Sequence, residues 1–295
     1  MLFRSELLEL HTLGVHGGYS QKDVMEVARC LTGWTVRGTH QSKMGLGTVE
    51  FRVDQHDRGA KVVLGEKIAA IPDGLKKEEV ERRGRAELDR VLEIVSLHRA
   101  TAKHIATKLC RRFIADAPPA AAVDAVADAF ARTGGDIGDT LRALFGTEAF
   151  RASRGVKFKK PLHFIVSALR ATGAKAEHAT ALTEYLVRMG HAPFHYPTPD
   201  GYPEEATPWM GTLLWRWNFA VSMLDKKIGG IEYDAAQVAK WFPRGEDLAA
   251  HFLGRRATAD EAAVFESAQP PVNSPSVLNP VSAAAFTIFA EIHNR

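Results

Sequence analysis

Residues 48–65, TVEFRVDQHDRGAKVVLG, decide how this chain is read. From Thr48 to Asp54, Val49, Phe51 and Val53 alternate with polar neighbours, and KVVLG follows at 61–65. Two short β runs separated by a glycine-containing turn predict a hairpin. In that turn Asp57 can accept a hydrogen bond from the backbone two residues on, and Gly59 can supply a positive φ. Turn geometry therefore accounts for Asp57 and Gly59. It does not account for His56 and Lys61, which flank the turn. A His–Asp–Lys cluster at a hairpin tip could orient an anion or polarise a carbonyl, so His56, Asp57 and Lys61 are the candidate catalytic residues.

Outward from this stretch the period is helical. In SELLELHTLG, Leu7, Leu8, Leu10 and His11 share a face and Gly14 can end the helix. Ser20 and Asp23 form an acidic capping box before VMEVARCL. Residues 75–97 are helical and charged, with Glu78–Arg82 and Glu79–Arg83 at i,i+4. Gly84 weakens the centre of that helix by about 1 kcal/mol against alanine. Further helices are expected at 100–113, after Pro118–Pro119, from Pro161, at 179–189, and from about 233 to 295 with a Pro/Ser/Asn break at 270–280. The fold class expected is mainly α: a multi-helix single domain over 1–295 with a small β-hairpin insertion near residues 48–65.

Composition narrows the function classes. The 295 residues are 45% apolar and 25% charged with a net charge of +3, the balance of an ordinary globular chain. Lys157, Lys159 and Lys160 are too few for a nucleic-acid face, and no nucleic-acid partner is expected. Cys30 and Cys110 lie in apolar helical patterns and read as buried, inert thiols. No apolar run approaches the ~20 residues of a transmembrane helix. Glu6 and Glu9 interrupt any signal-peptide core, so the chain as written carries no export signal and would be cytoplasmic. No P-loop, GxGxxG or GxSxG motif is present, which removes the usual nucleotide and serine-hydrolase signatures.

The blocks ELLELHTLGVHGGYSQKDVMEVARCLTGW, HDRGAKVVLG, HRATAKHIATKLCRRFIAD, KFKKPLHFIVSALRATG and PTPDGYP occur in an order that resembles the bacterial domain-of-unknown-function 1800 family. They cover roughly residues 5–222. That family brings no agreed activity. Its members are commonly exported and often encoded beside proteins resembling sulfatases. The resemblance thus implies a periplasmic or extracellular setting and an exported sulfatase-like partner. The chain departs from the pattern in lacking a block of the type FWHxHF, and ELLELHTLG begins almost at Met1. It is expected to be the C-terminal portion of the family pattern, with any leader lost alongside the missing part.

Two further candidate sites follow. Glu6, His11, His56 and Asp57 combine imidazole and carboxylate donors suited to a divalent metal. The loop HAPFHYPTPDGYPEEATPW, residues 191–209, carries five prolines, and Tyr202, Trp209 and Arg216 could line a binding cleft. Two function classes stay open: a non-catalytic accessory or scaffold module acting with an exported partner enzyme, or a metal-assisted hydrolase or oxidoreductase using the His/Asp/Glu cluster.

Overall fold

The computed structural model describes residues 3–37, 47–241 and 245–267. The chain is mainly α, with three two-stranded antiparallel ribbons among the described residues. It divides into two compact units, the first ending at Ser153 and the second beginning at Arg154.

In the first unit, α1 (Phe3–Glu6) runs on as a π-helical turn, Leu7–His11. That turn is closed by the Gly14 N–H, which donates to Leu8 O at 3.0 Å. Helix α2 (Gln21–Cys30) starts at the expected capping box: Ser20 Oγ accepts from the Asp23 N–H and the Asp23 carboxylate accepts from the Ser20 N–H. Strands β1 (Trp34–Arg37) and β2 (Thr48–Phe51) pair with Trp34 opposite Phe51. Strands β3 (Lys61–Val63) and β4 (Glu66–Ile68) form the second ribbon. Four longer helices follow: α3 (Lys77–Ser96), α4 (Arg99–Phe113), α5 (Ala120–Arg132) and α6 (Ile137–Gly146). The short α7 (Glu148–Ala152) ends the unit. Leu8, Leu13, Val27, Val63, Val91 and Val95 form one buried cluster, and Ala106, Cys110, Val126 and Leu144 another.

The second unit contains α8 (Pro161–Thr172), β5 (Lys175–Ala176), α9 (Thr180–Arg188), α10 (Thr207–Met210) and α11 (Leu213–Leu224). It continues with β6 (Ile231–Glu232), α12 (Ala235–Trp241), α13 (Gly245–Leu253) and α14 (Ala259–Ser267). Its core joins Phe164, Ile165, Leu186, Met189, Phe219 and Met223. Pro161 occupies the first turn of α8, where its missing N–H costs nothing. The break expected at 270–280 and the helix beyond it lie outside the described residues.

The hairpin is paired differently from the sequence expectation. The two runs around QHDRGA do not pair with each other: β2 pairs back to β1, and β3 pairs forward to β4. After Phe51 the chain leaves the ladder, because Val53–Gln55 coil into a 3-10 turn. The real β3–β4 turn is Leu64-Gly65, both at positive φ (51° and 85°), the backbone of a two-residue primed turn. A leucine in that conformation is uncommon and hid the turn from the sequence. Along α3, Arg82 turns to Glu79 (2.7 Å) rather than to Glu78, while Arg83 bonds Glu79 as expected.

Gly84 has a packing reason. A Cβ there would meet Phe51 Cζ at 2.2 Å, so the missing side chain lets the β1–β2 ribbon lie directly on α3. Gly84→Ala should therefore lower the urea midpoint, because overpacking costs about 1–3 kcal/mol and exceeds the helix-propensity gain of about 1 kcal/mol. In a Phe51→Leu background the same substitution should become neutral or stabilising. A stabilising Gly84→Ala in the wild-type background would contradict the close packing.

Candidate functional site

The QHDRGAK stretch is fastened to α2 on one side and to α3 on the other. Arg29, in the last turn of α2, grips Asp57 with two parallel bonds, Nε to Oδ2 at 2.9 Å and Nη2 to Oδ1 at 3.1 Å. The same guanidinium reaches Glu26. This fork holds the Asp57 carboxyl down to about 2, the guanidinium hydrogen bond being the largest cause. Asp57 Oδ1 also accepts the Gly59 N–H at 2.8 Å, the local bond expected from the sequence. Gly59 itself is not at positive φ. It is small because a Cβ would meet Arg29 Nη2 at 2.6 Å.

The carboxylates of α2 also satisfy the open edge of β3. Glu26 accepts the Val62 N–H at 2.9 Å and Asp23 accepts the Leu64 N–H at 2.8 Å. Side chains three apart on the helix thus meet N–H groups two apart on β3 and the turn residue that follows it, in place of a neighbouring strand. The Val62 bond is the largest influence holding the Glu26 carboxyl below its ordinary range.

His56 and Lys61 meet at a residue that the sequence analysis passed over, Glu87 of α3. The Lys61 ammonium donates to Glu87 Oε2 at 2.8 Å and to Asp57 O at 2.5 Å. The Lys61 and His56 side chains are 0% exposed and that of Glu87 is 5% exposed. His56 Nδ1 lies 2.9 Å from Thr32 O, and a carbonyl only accepts, so Nδ1 carries the proton. His56 Nε2 then faces Glu87 Oε2 at 3.4 Å. Among the described residues His56 Nε2 and Glu87 Oε1 have no hydrogen-bond partner. The cluster is a neutralised buried ion pair with an imidazole against it. Burial also pushes the neighbouring Cys30 thiol up to about 11, and both cysteines are buried and not joined in a disulfide.

The other proposed metal ligands lie on the first helix. His11 is exposed and Glu6 half-buried. Among the described residues no group of three or more His, Cys, Asp and Glu is placed to hold a metal.

In the second unit, the proposed loop residues fasten the loop from below. Tyr202 donates to Ala192 O at 2.6 Å, and the buried Trp209 donates its indole N–H to Pro203 O at 3.2 Å. Both rings pack against His191, Tyr202 edge-on and Trp209 tilted, with 4.5 and 4.8 Å between centroids. Arg216 is buried under the rings of Phe158 and Phe164 and donates to Lys159 O at 2.7 Å. Lys160, one of the three lysines counted against a nucleic-acid face, is buried and pairs with Glu204 at 2.6 Å. Exposed apolar side chains here include Phe194 on the loop, Met210 on α10, and Leu214 and Trp217 on α11. Sequence reasoning missed Glu87, although Val80, Gly84, Glu87, Val91 and Val95 make one stripe and a carboxylate inside it marks a buried partner.

His191 Nδ1 accepts the Leu162 N–H at the start of α8 (3.1 Å). Burial, with Lys160, His163 and Arg216 nearby and only Glu204 opposing, lowers its pKa from 6.5 to about 4. The unfolded chain therefore takes up the proton first as pH falls. The stability of this unit should be complete above 6.5 and drop by about 3 kcal/mol as pH falls toward 4, at 1.36 kcal/mol per unit. Denaturant midpoints across that range test this, and His191→Gln should flatten the slope. A second test concerns the first unit. Lys61→Met or Glu87→Gln alone should cost about 3–5 kcal/mol by leaving one buried charge unpaired, whereas Lys61→Met with Glu87→Leu should recover most of the loss. Additive losses in the double variant would contradict the pairing.

Among the described residues no helix is long and apolar enough to cross a membrane. Neither a curated protein nor a solved structure matches the chain. A family model described as a protein of unknown function, DUF1800, matches residues 4–288, well past the 222 reached by the blocks read from sequence. On that match, which spans nearly the whole chain, the protein belongs to the DUF1800 family.

Proposed function

We propose that this protein is a non-catalytic accessory module that works with an exported, sulfatase-like partner enzyme, and that its contact surface lies in the second unit. The observation that supports this is the division of labour in and beside the 191–209 loop. Tyr202, Trp209 and His191 hold the loop by internal ring contacts and backbone hydrogen bonds. Exposed apolar side chains stand among polar ones there: Phe194 on the loop and Leu214, 66% exposed, on the helix that follows it, with Asp200 and Glu205 also exposed. A rigid scaffold that displays exposed apolar side chains has the make-up of a protein contact site. In the QHDRGAK cluster, by contrast, Lys61 is paired with Glu87 in the interior of the first unit and Asp57 with Arg29 in a half-buried pair, which suits a structural role.

The reading is tested with a sulfatase-like protein from the same organism. Titration of the purified partner into wild-type protein should show binding. Leu214→Glu should weaken that binding at least about tenfold, since a charge would be desolvated in the contact, while the circular dichroism spectrum stays unchanged. Absence of binding by the wild type would contradict the reading.

A further inference from the structure

We propose that the outer face of α11 is a self-association surface, covered by the same face of a second copy of this chain packed antiparallel to it. The helix is apolar on both sides. Phe219 and Met223 belong to the core of the second unit, and Arg216 is buried beside them. Among the described side chains of α11 the exposed ones are Leu214, Trp217 and Val221, all apolar. Met210 of α10 precedes them and is also exposed. A helix face that stays in water carries polar and charged residues, whereas a helix apolar all round has a cover on each side. Positions 210, 214, 217 and 221 follow the alternating four- and three-residue spacing of a seam between two helices. Gly211 (φ −67°, ψ −6°) and Thr212 (φ −90°, ψ 7°) keep the backbone close to the right-handed helical region, so the seam runs on from α10 into α11.

The second copy is the occupant because this face is complementary to itself. With a two-fold axis between Leu214 and Trp217, an antiparallel copy sets Leu214 against Trp217 and Met210 against Val221. The same register sets Glu205, exposed just before α10, against Lys226, exposed just after α11. Asp225 and Lys227 neutralise one another at 2.7 Å, so Lys226 sets the sign of that end. Apolar positions meet apolar ones, and each acidic end meets a basic end. A parallel pairing would instead bring Glu205 against Glu205 and Lys226 against Lys226. A seam this short lies at the small end of specific interfaces, so the association is reversible, with a Kd of about 1–100 μM. The dimer goes beyond the accessory reading and shares Leu214 with it, so the self-contact and the enzyme contact exclude one another.

Sedimentation equilibrium of the purified protein alone tests this. Between about 1 and 200 μM the wild type should pass from monomer to dimer mass. Leu214→Glu should raise the dissociation constant at least about tenfold with an unchanged circular dichroism spectrum, since the carboxylate would be desolvated in the seam. Lys226→Glu and Glu205→Lys should each weaken the dimer about threefold or more by setting like charges together. An equimolar mixture of those two proteins should associate more tightly than either alone, because both end contacts are then attractive. A wild type that stays monomeric, a dimer indifferent to Leu214→Glu, or a mixture no tighter than its components would each overturn the proposal. A dimer that forms as described but never binds the sulfatase-like protein would overturn the accessory reading alone.

Discussion

The ion pair between Lys61 and Glu87 sits where water cannot reach it, and the first unit is organised around that constraint. A buried ammonium needs an anion and further acceptors within hydrogen-bond distance, and the fold supplies Glu87 Oε2 and the Asp57 carbonyl. Meeting these requirements fixes β3 against α3. Fixing β3 leaves its edge N–H groups to be satisfied, and the carboxylates of α2 do so. Arg29 then ties the same helix to Asp57, so one short stretch locks a ribbon and two helices.

The helices were legible because their signals are local. The Ser20 capping box, Pro161 at a first turn and the apolar stripes of α3 and α4 each follow from neighbours a few residues away. The strand pairing was not legible. β1 has only four residues, and the turn that closes β3–β4 uses a leucine at positive φ where glycine or asparagine is the usual signal. Two β runs on either side of a glycine therefore looked like partners when each had another.

The candidate residues were half legible for the same reason. His56 and Lys61 stood out because turn geometry did not explain them, and the fold shows that Glu87 does. That contact spans 26 residues and no short motif encodes it. In the loop, sequence picked out the aromatics Tyr202 and Trp209, whose hydrogen bonds turn them inward. An outward residue, Phe194, carries a quieter mark: a positive φ (63°) in the dipeptide Pro-Phe, where a type II turn asks for Pro-Gly.

We propose that QHDRGAK serves architecture while the loop of the second unit makes the functional contact. The most direct measurement is partner affinity of the Lys61→Met, Glu87→Leu protein, once circular dichroism shows it folded. Wild-type affinity is expected, because the altered pair is buried within the first unit. A folded double variant whose affinity fell by more than about tenfold would contradict it and return the buried cluster to the functional site.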